Sequence, residues 1–366
     1  MKRTGIGLFL LVFLLSGCWD QKTLKDTIFI SSAAFEKKEQ DEIQATISIH
    51  SYTSKENEPI SKVFTVVGLS PREGRMKLNQ QVSGALMSAK NRVLLIQDDL
   101  AKDGILKVSD VLYRTPESPL SAKYAIVKGS PSEIVYLQKV GNELIGEYLA
   151  GIIHTAENSS SVPNETIQTI CTVLFDEGKG LALPYIEMNK KNQAANVVGT
   201  ALFHDDKFSG VTLNAMQSRM ALLLSDRKGK HLMMSDNVVV NGEKNTASYN
   251  VISSKVRLKI KKDPVDVVSV QIPLKVKVEI TEFTYNDLTK KKVKTVEKKL
   301  EAILQKRAEN VVDKLQEANC DFLEIGRELM AYHPKEWKKL DWKSDYPELS
   351  IKPKVSVQII HKGIIN

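Results

Sequence analysis

The stretch 268–280, VSVQIPLKVKVEI, carries Val268, Val270, Ile272, Leu274, Val276, Val278 and Ile280 at every second position. Side chains of a strand point alternately to its two faces, so this spacing predicts one buried and one wet face. The same period recurs at Val256, Leu258 and Ile260, and again at Ile351, Pro353, Val355, Val357 and Ile359. Strands of this kind predict an antiparallel sheet with a single apolar face. Pro353 has no N–H to give to a ladder, which predicts that the early part of the last strand lies at an edge. The apolar face needs a cover, and Leu300, Ile303, Leu304, Val311, Leu315, Phe322 and Leu329 recur at helical spacings. They predict one helix from about Val293 to Glu317 and a second from near Asp321 to just before Pro334. A long amphipathic helix laid on a twisted sheet is a stable two-layer unit.

Upstream of this unit the punctuation changes. Val197 to Phe203 and Lys207 to Leu213 flank the turn His204, Asp205, Asp206 and read as a hairpin, followed by a helix through Met216, Met220 and Leu223. Ser70-Pro71-Arg72-Glu73 and Ser130-Pro131-Ser132-Glu133 each place a capping serine before a first-turn proline and glutamate. The first predicts a helix to about Lys90 and the second a helix through Ile134, Leu137, Leu144 and Tyr148. Strands are expected at 28–35, 43–49, 63–67, 92–96 and 122–127, with a helix over 100–112 and a short one through Ile167, Ile170 and Leu174. The fold class is therefore mixed α+β in several domains: 28–129 mixed α/β, 130–195 small and mostly helical, 196–366 a C-terminal antiparallel sheet with its long helix.

The N-terminus has a separate logic. Lys2 and Arg3 precede an apolar run from Ile6 to Leu15, too short to span a bilayer, which ends Leu15-Ser16-Gly17-Cys18. Charge, apolar run and small residues in that order are the features of a secretory signal peptide, expected over 1–17. A cysteine at the new N-terminus can carry a diacylglyceryl thioether, and two acyl chains anchor stably where one does not. Cys18 is the expected lipidation site, and 18–27 the tether.

Composition is that of a globular chain, with 42% hydrophobic and 26% charged residues in 366. The 52 basic and 44 acidic residues become 50 and 44 without Lys2 and Arg3. That modest excess suits anionic lipid and makes no case for nucleic acid. Part of it lies in Lys290, Lys291, Lys292, Lys294, Lys298 and Lys299, read as a solvated helix start or as a contact with lipid headgroups or an acidic partner. The other two cysteines, Cys171 and Cys320, read as buried thiols. The six histidines form no metal pair at helical spacing. His204 with Asp205 and Asp206 reads as a polar turn before it reads as a cation site. Asp176-Glu177-Gly178-Lys179-Gly180 lacks the spacing of a phosphate loop. No nucleophile elbow is present, so no catalytic residue, metal or cofactor is expected. Trp337 and Trp342 read as packing of the final turn or as an interface anchor.

Taken in order, several segments resemble one family. They are Ser16-Gly17-Cys18-Trp19-Asp20, Asn91 to Ile96 with Leu100 to Gly104, Gly199 to Lys207, and above all Asp321-Phe322-Leu323-Glu324-Ile325-Gly326-Arg327-Glu328-Leu329 with Pro334 to Trp337, Asp341-Trp342 and His361-Lys362-Gly363. The chain resembles the C subunits of bacterial spore germinant receptors, the Ger(x)C lipoproteins. The resemblance implies a non-catalytic three-domain protein anchored on the outer surface of the spore's inner membrane. It also implies assembly with an integral-membrane A subunit and a transporter-like B subunit, in a complex that responds to nutrients. The alternative is a solute-binding lipoprotein of a transporter, which shares the lipobox but usually requires two parallel α/β lobes. A tethered cell-wall hydrolase would need paired carboxylates or a metal cluster.

Overall fold

Val93, Leu94, Leu95 and Ile96 are apolar on both sides of their strand, and such a strand is stable only between two covering layers. In the computed structural model, which describes residues 27–52, 59–240, 242–262, 268–283 and 289–361, all four are buried. The strands in chain order are β1 (Thr27–Lys37), β2 (Ile43–Tyr52), β3 (Pro59–Gly68), β4 (Ala85–Met87), β5 (Val93–Gln97), β6 (Lys123–Lys128), the small pair β7 (Lys139–Val140) and β8 (Glu143–Leu144), β9 (Ala182–Asn189), β10 (Ala194–His204), β11 (Lys207–Asn214), β12 (Met233–Val240), β13 (Glu243–Val256), β14 (Lys259–Lys262), β15 (Val268–Phe283) and β16 (Ser350–His361). The helices are α1 (Pro71–Asn79), α2 (Asp98–Lys102), α3 (Leu106–Tyr113), α4 (Pro131–Val135), α5 (Ile145–Asn158), α6 (Ile167–Leu174), α7 (Ala215–Leu224), α8 (Lys290–Glu317), α9 (Ile325–Tyr332), α10 (Pro334–Trp337) and α11 (Trp342–Asp345).

The first sheet runs β11-β10-β9-β6-β5-β1-β2-β3, with β4 beside the start of β1. Its centre is parallel: β1 with β5, β5 with β6, and β6 with β9. Each parallel step needs a crossover, and the crossover helices cover both faces. Leu95, Val127 and Ile186 meet Leu149 and Ile153 of α5 on one side, while Leu94, Ile96 and Tyr124 meet Val108 of α3 and Ile170 of α6 on the other. The borders expected at 129/130 and 195/196 both fall inside this sheet. β9 pairs with β6 across the first, and β10 runs across the second.

Both serine caps form, with Ser70 accepting from Glu73 N and Ser130 from Glu133 N. Three helices differ from expectation. The one expected through Ile134, Leu137, Leu144 and Tyr148 is two, α4 and α5, because Gln138 and Gly141 take left-handed backbones (φ 63 and 59) and the chain between Gln138 and α5 folds into the β7–β8 pair. α1 stops at Asn79 rather than near Lys90, because Asn79 Oδ1 accepts Leu86 N at 3.1 Å and turns the chain back into β4. The helix expected over 100–112 breaks at Gly104, whose φ of +114 is open to glycine.

In the second sheet, order β12-β13-β15-β14, these pairings are antiparallel as the alternation implies. β16 is the exception: it lies parallel to β15, from Ser269 opposite Ser350 to Glu279 opposite His361. The helices between the two strands form a crossover, and a crossover returns the chain in the same direction. Residues 233–256 form a hairpin of two long strands, an element absent from the sequence-based expectation, which begins only at Val256.

α8 covers the inner face. Val296, Leu300, Leu304, Ala308, Val311 and Leu315 pack on Val270, Ile272, Leu274, Val276 and Val278. The same helix closes the outer edge of β16, where a free ladder would invite foreign strands. Val355 N donates to Gln305 Oε1 at 2.8 Å and Ile359 N to Glu297 Oε1 at 2.8 Å, with Val357 N and Glu301 Oε2 between them at 3.4 Å. These acceptors are four residues apart, which aligns them on one face of the helix. Pro353, at the beginning of this row, needs no acceptor for its nitrogen.

Candidate functional site

The two sheets meet where two glycines let backbones touch. A Cβ on Gly178 would lie 2.6 Å from Arg327 N, and one on Gly180 2.4 Å from Asp321 N. Any larger residue would force the chains apart. Gly180 N donates to Asp321 O at 2.8 Å. Cys320 Sγ donates to Leu181 O at 3.3 Å, and burial pushes its thiol up to about 12. The Asp321 carboxylate accepts Ile325 N at 3.0 Å and Gly326 N at 2.7 Å, so it caps α9. Full burial pushes this carboxyl up to about 7, against the pull of those two bonds and of one donated by the Trp342 indole.

Charged side chains rivet the junction. The Arg227 guanidinium lies 3.9 Å from the centre of the Phe322 ring and donates to Phe322 O at 3.0 Å. It also lies 3.6 Å from Glu165 and 3.9 Å from Glu324. Glu324 has a left-handed backbone, φ 57, and also reaches Lys179 at 3.4 Å. Arg327 pairs with Asp176 at 2.9 Å. Burial raises the Glu165 carboxyl, partly offset by Thr169 and Arg227.

The turn of the β10–β11 hairpin ties its three polar residues to three different elements, although His204 Nε2 also lies 3.8 Å from Asp205 Oδ2. His204 Nδ1 is 3.2 Å from Asn319 O, Asp205 pairs with Lys343 at 2.7 Å, and Asp206 binds the start of α3 through Ile105 N (2.8 Å, backbone) and Leu106 N (3.3 Å, side chain). The turn is a latch between three elements, and the trio does not converge on a cation. No group of three metal-ligating side chains occurs among the described residues.

Between the latch, the 173–181 loop and the final turn lies a cleft of about 600 Å³. Exposed Phe175 stands at its rim. Trp337, Trp342 and Tyr346 form its wall as a row of tilted rings with successive centres 5.4 Å apart. Tyr346 Oη donates to Cys320 O at 3.0 Å and ties that wall to the junction. Trp342 is buried in the core, whereas Trp337 is half-buried. Of the anticipated interface residues, only Trp337 therefore offers surface among the tryptophans.

Lys290, Lys291 and Lys292 open α8, whose first turn Thr289 caps; Lys291 is exposed and Lys292 half-buried. The tryptophans sit beyond the other end of that helix, where Asn319 Nδ2 holds Lys343 O. A helix of 28 residues is about 40 Å long, so lysines and tryptophans do not form one surface. Cys18 lies outside the described residues. Cys171 and Cys320 are both free thiols; Cys320 is buried as expected, whereas Cys171 is only half-buried. Arg227 carried no signal in sequence, since an isolated arginine after a helix resembles any surface arginine. The two glycines stand out in sequence only as part of a stretch without the spacing of a phosphate loop.

The arrangement defines a class: a two-sheet mixed α+β protein whose sheets are joined by a tight, ion-paired seam beside an aromatic cleft. The chain belongs to the Ger(x)C spore germination family. Residues 20–188 match the family's "Spore germination protein N-terminal domain" and residues 198–363 match "Spore germination B3/ GerAC like, C-terminal". Spore germination protein GerQC of Bacillus cereus is 24% identical over 372 residues, covering 100% of this chain and 99% of that one. Spore germination protein KC of Bacillus subtilis (strain 168) is 21% identical, covering 98% and 95%. The crystal structure of the GerBC protein superposes with a TM-score of 0.59 at 16% identity, covering 90% of this chain and 96% of that one, which shows a shared fold. Asp321 to Leu329, the segment on which the resemblance leaned most, is the C-terminal half of the seam.

Proposed function

We propose that the chain is the lipid-anchored C subunit of a nutrient germinant receptor, a non-catalytic component that holds and couples the integral-membrane A and B subunits. The observation that carries this reading is the end-to-end match of both family halves, in order, to germination proteins of the same length. Lipid on Cys18 places the body on the outer surface of the spore's inner membrane. A tether of that kind raises the effective concentration of the body near membrane partners, so modest contacts suffice. The seam supports the coupling role, because two sheets joined through short backbone contacts move as a pair. On this reading Trp337 and the cleft rim contact a partner subunit, and the Lys290–Lys292 helix start is a second, separate contact.

The test uses spores in which the cognate receptor is the only one present, carrying either Cys18→Ala or a deletion of this chain. Loss of refractility is followed after nutrient addition, with membrane levels of A and B measured in parallel. The expected result is a lost nutrient response with a normal response to non-nutrient triggers. An unchanged response in both strains would reject the reading, and ligand screening for a solute-binding role would follow.

A further inference from the structure

The inner face of the second sheet is closed by α8, and its outer face is bare and basic. Along β15 from Val268 to Ile280 the even-numbered residues are buried and the odd-numbered ones point outward. Pair registers then fix the outward rows. Lys261, Ser269 and Ser350 form one row; Lys259, Gln271 and Lys352 form the next; then come Pro273 and Lys354, with Arg257 bonded through its N–H to Pro273 O. Lys255, Lys275 and Ser356 follow, then Ser253, Lys277 and Gln358. Every one of these cations is exposed. The rows hold no carboxylate, and the first acid along β15 is Glu279, one row beyond. Among the described residues none of these cations is ion-paired. Lys255 stands directly opposite Lys275, an arrangement that costs stability in an isolated sheet.

The band covers about 27 Å along the strands and about 10 Å across them. It is built mainly of lysine and has no aromatic side chain on it for stacking bases. A broad field of flexible point charges suits a plane of phosphate headgroups better than a grooved duplex or a single strand, which are read with arginine forks and aromatic platforms. We propose that this face of the second sheet docks on an anionic lipid bilayer and sets the orientation of the body, with α8 turned away from the lipid. The proposal goes beyond the receptor-subunit reading, which requires a tether but no particular orientation.

The test uses the full chain carrying Cys18→Ser, so that no lipid is attached, with and without Lys275→Gln, Lys277→Gln, Lys352→Gln and Lys354→Gln together. Binding is measured to vesicles of phosphatidylcholine alone and of equimolar phosphatidylcholine and phosphatidylglycerol. Any grip from the apolar leader is common to all variants. With about 1 kcal/mol from each lysine near an anionic surface, the quadruple variant is expected to bind the anionic vesicles on the order of 1,000-fold more weakly. Both proteins should bind the neutral vesicles equally. A control removing the same charge from α8, at Lys291, Lys294, Lys298 and Lys299, should stay within about 3-fold of the parent, because it leaves the sheet face intact. Undiminished binding by the quadruple variant, or an equal loss in the control, would overturn the proposal. So would capture by heparin without binding to anionic vesicles, which would give the face to a soluble polyanion. None of these outcomes bears on the germination phenotype, so this inference and the receptor reading fail separately.

Discussion

Leu95 and Leu274 are both fully buried, but by different means. Leu95 lies on a central strand with strands on either side, in a sheet that has helices on both faces. Leu274 lies on a strand whose helical cover is all on one side, while Pro273 and Lys275 next to it face outward. A sheet covered twice has only its edges and seam to offer a partner. A sheet covered once offers a whole face, but depends on a single layer for its own stability.

That dependence gives the largest expected effect. Leu304 of α8 is fully buried against the second sheet. Leu304→Ala should lower stability by about 2–5 kcal/mol, the range for large-to-small changes in a core. Urea unfolding reads the loss. A change below about 1 kcal/mol would mean that the sheet's interior does not depend on this helix as Leu274 suggests.

The seam tests whether the two sheets are one unit or two. Gly180→Val puts methyl groups where the backbone of Asp321 already lies, with the first added carbon 2.4 Å from its nitrogen. Overpacking of this kind costs about 1–3 kcal/mol. The expected signature is a calorimetric transition that splits in two as the sheets lose their contact. A single transition at the parental midpoint would show that the sheets cooperate through some other contact.

Asp321 adds a pH dependence to the same seam. Its carboxyl is raised from 3.8 to about 7 in the folded chain, so between those values the folded state holds a proton that the unfolded state has released. Stability from this group is therefore fully present below the unfolded value and is lost as pH rises through about 7. Between pH 5 and 7 the loss should reach at most about 2 kcal/mol. Asp321→Asn removes that slope while leaving the Arg227 contacts in place. A variant with the parental pH profile would show that the three donated hydrogen bonds keep the carboxylate ionised throughout.

The two sheets also differ in how far the sequence exposed them. Period-two alternation along 268–280 and 351–359 and the 300–315 stripe are local patterns, and each leads directly to β15, β16 and α8. The direction of β16 is a property of the connection, and the alternation of a strand is the same read either way. The first sheet's central strands were visible as short apolar runs, but their order was not. Nothing local in Ala182 to Asn189 reveals that it pairs with Lys123 to Lys128. For the same reason 130–195 read as a helical unit, when its last strand lies inside the first sheet. At the candidate site, the tryptophans and Asp321 to Leu329 stood out in sequence. Gly178, Gly180 and Arg227 acquire their roles only when 176–180 is laid against 320–327. That contact spans more than a hundred residues, beyond the reach of any spacing rule.

The smallest expected effect sharpens the comparison within one strand. Leu274 and Lys275 are chain neighbours on opposite faces of β15. Leu274→Ala should cost about 2–5 kcal/mol, like Leu304→Ala, because it opens the same interior. Lys275→Gln should leave stability unchanged or raise it by a few tenths of a kcal/mol, because it removes a like charge placed directly opposite Lys255. The gain should fade as salt is added, since exposed charges are screened over about a Debye length. Thermal melts at low and high ionic strength read both trends together. A clear destabilisation by Lys275→Gln at low salt would mean that the outer face contributes to holding the sheet. The second sheet would then resemble the first, with both faces committed to its own stability and neither free for a partner.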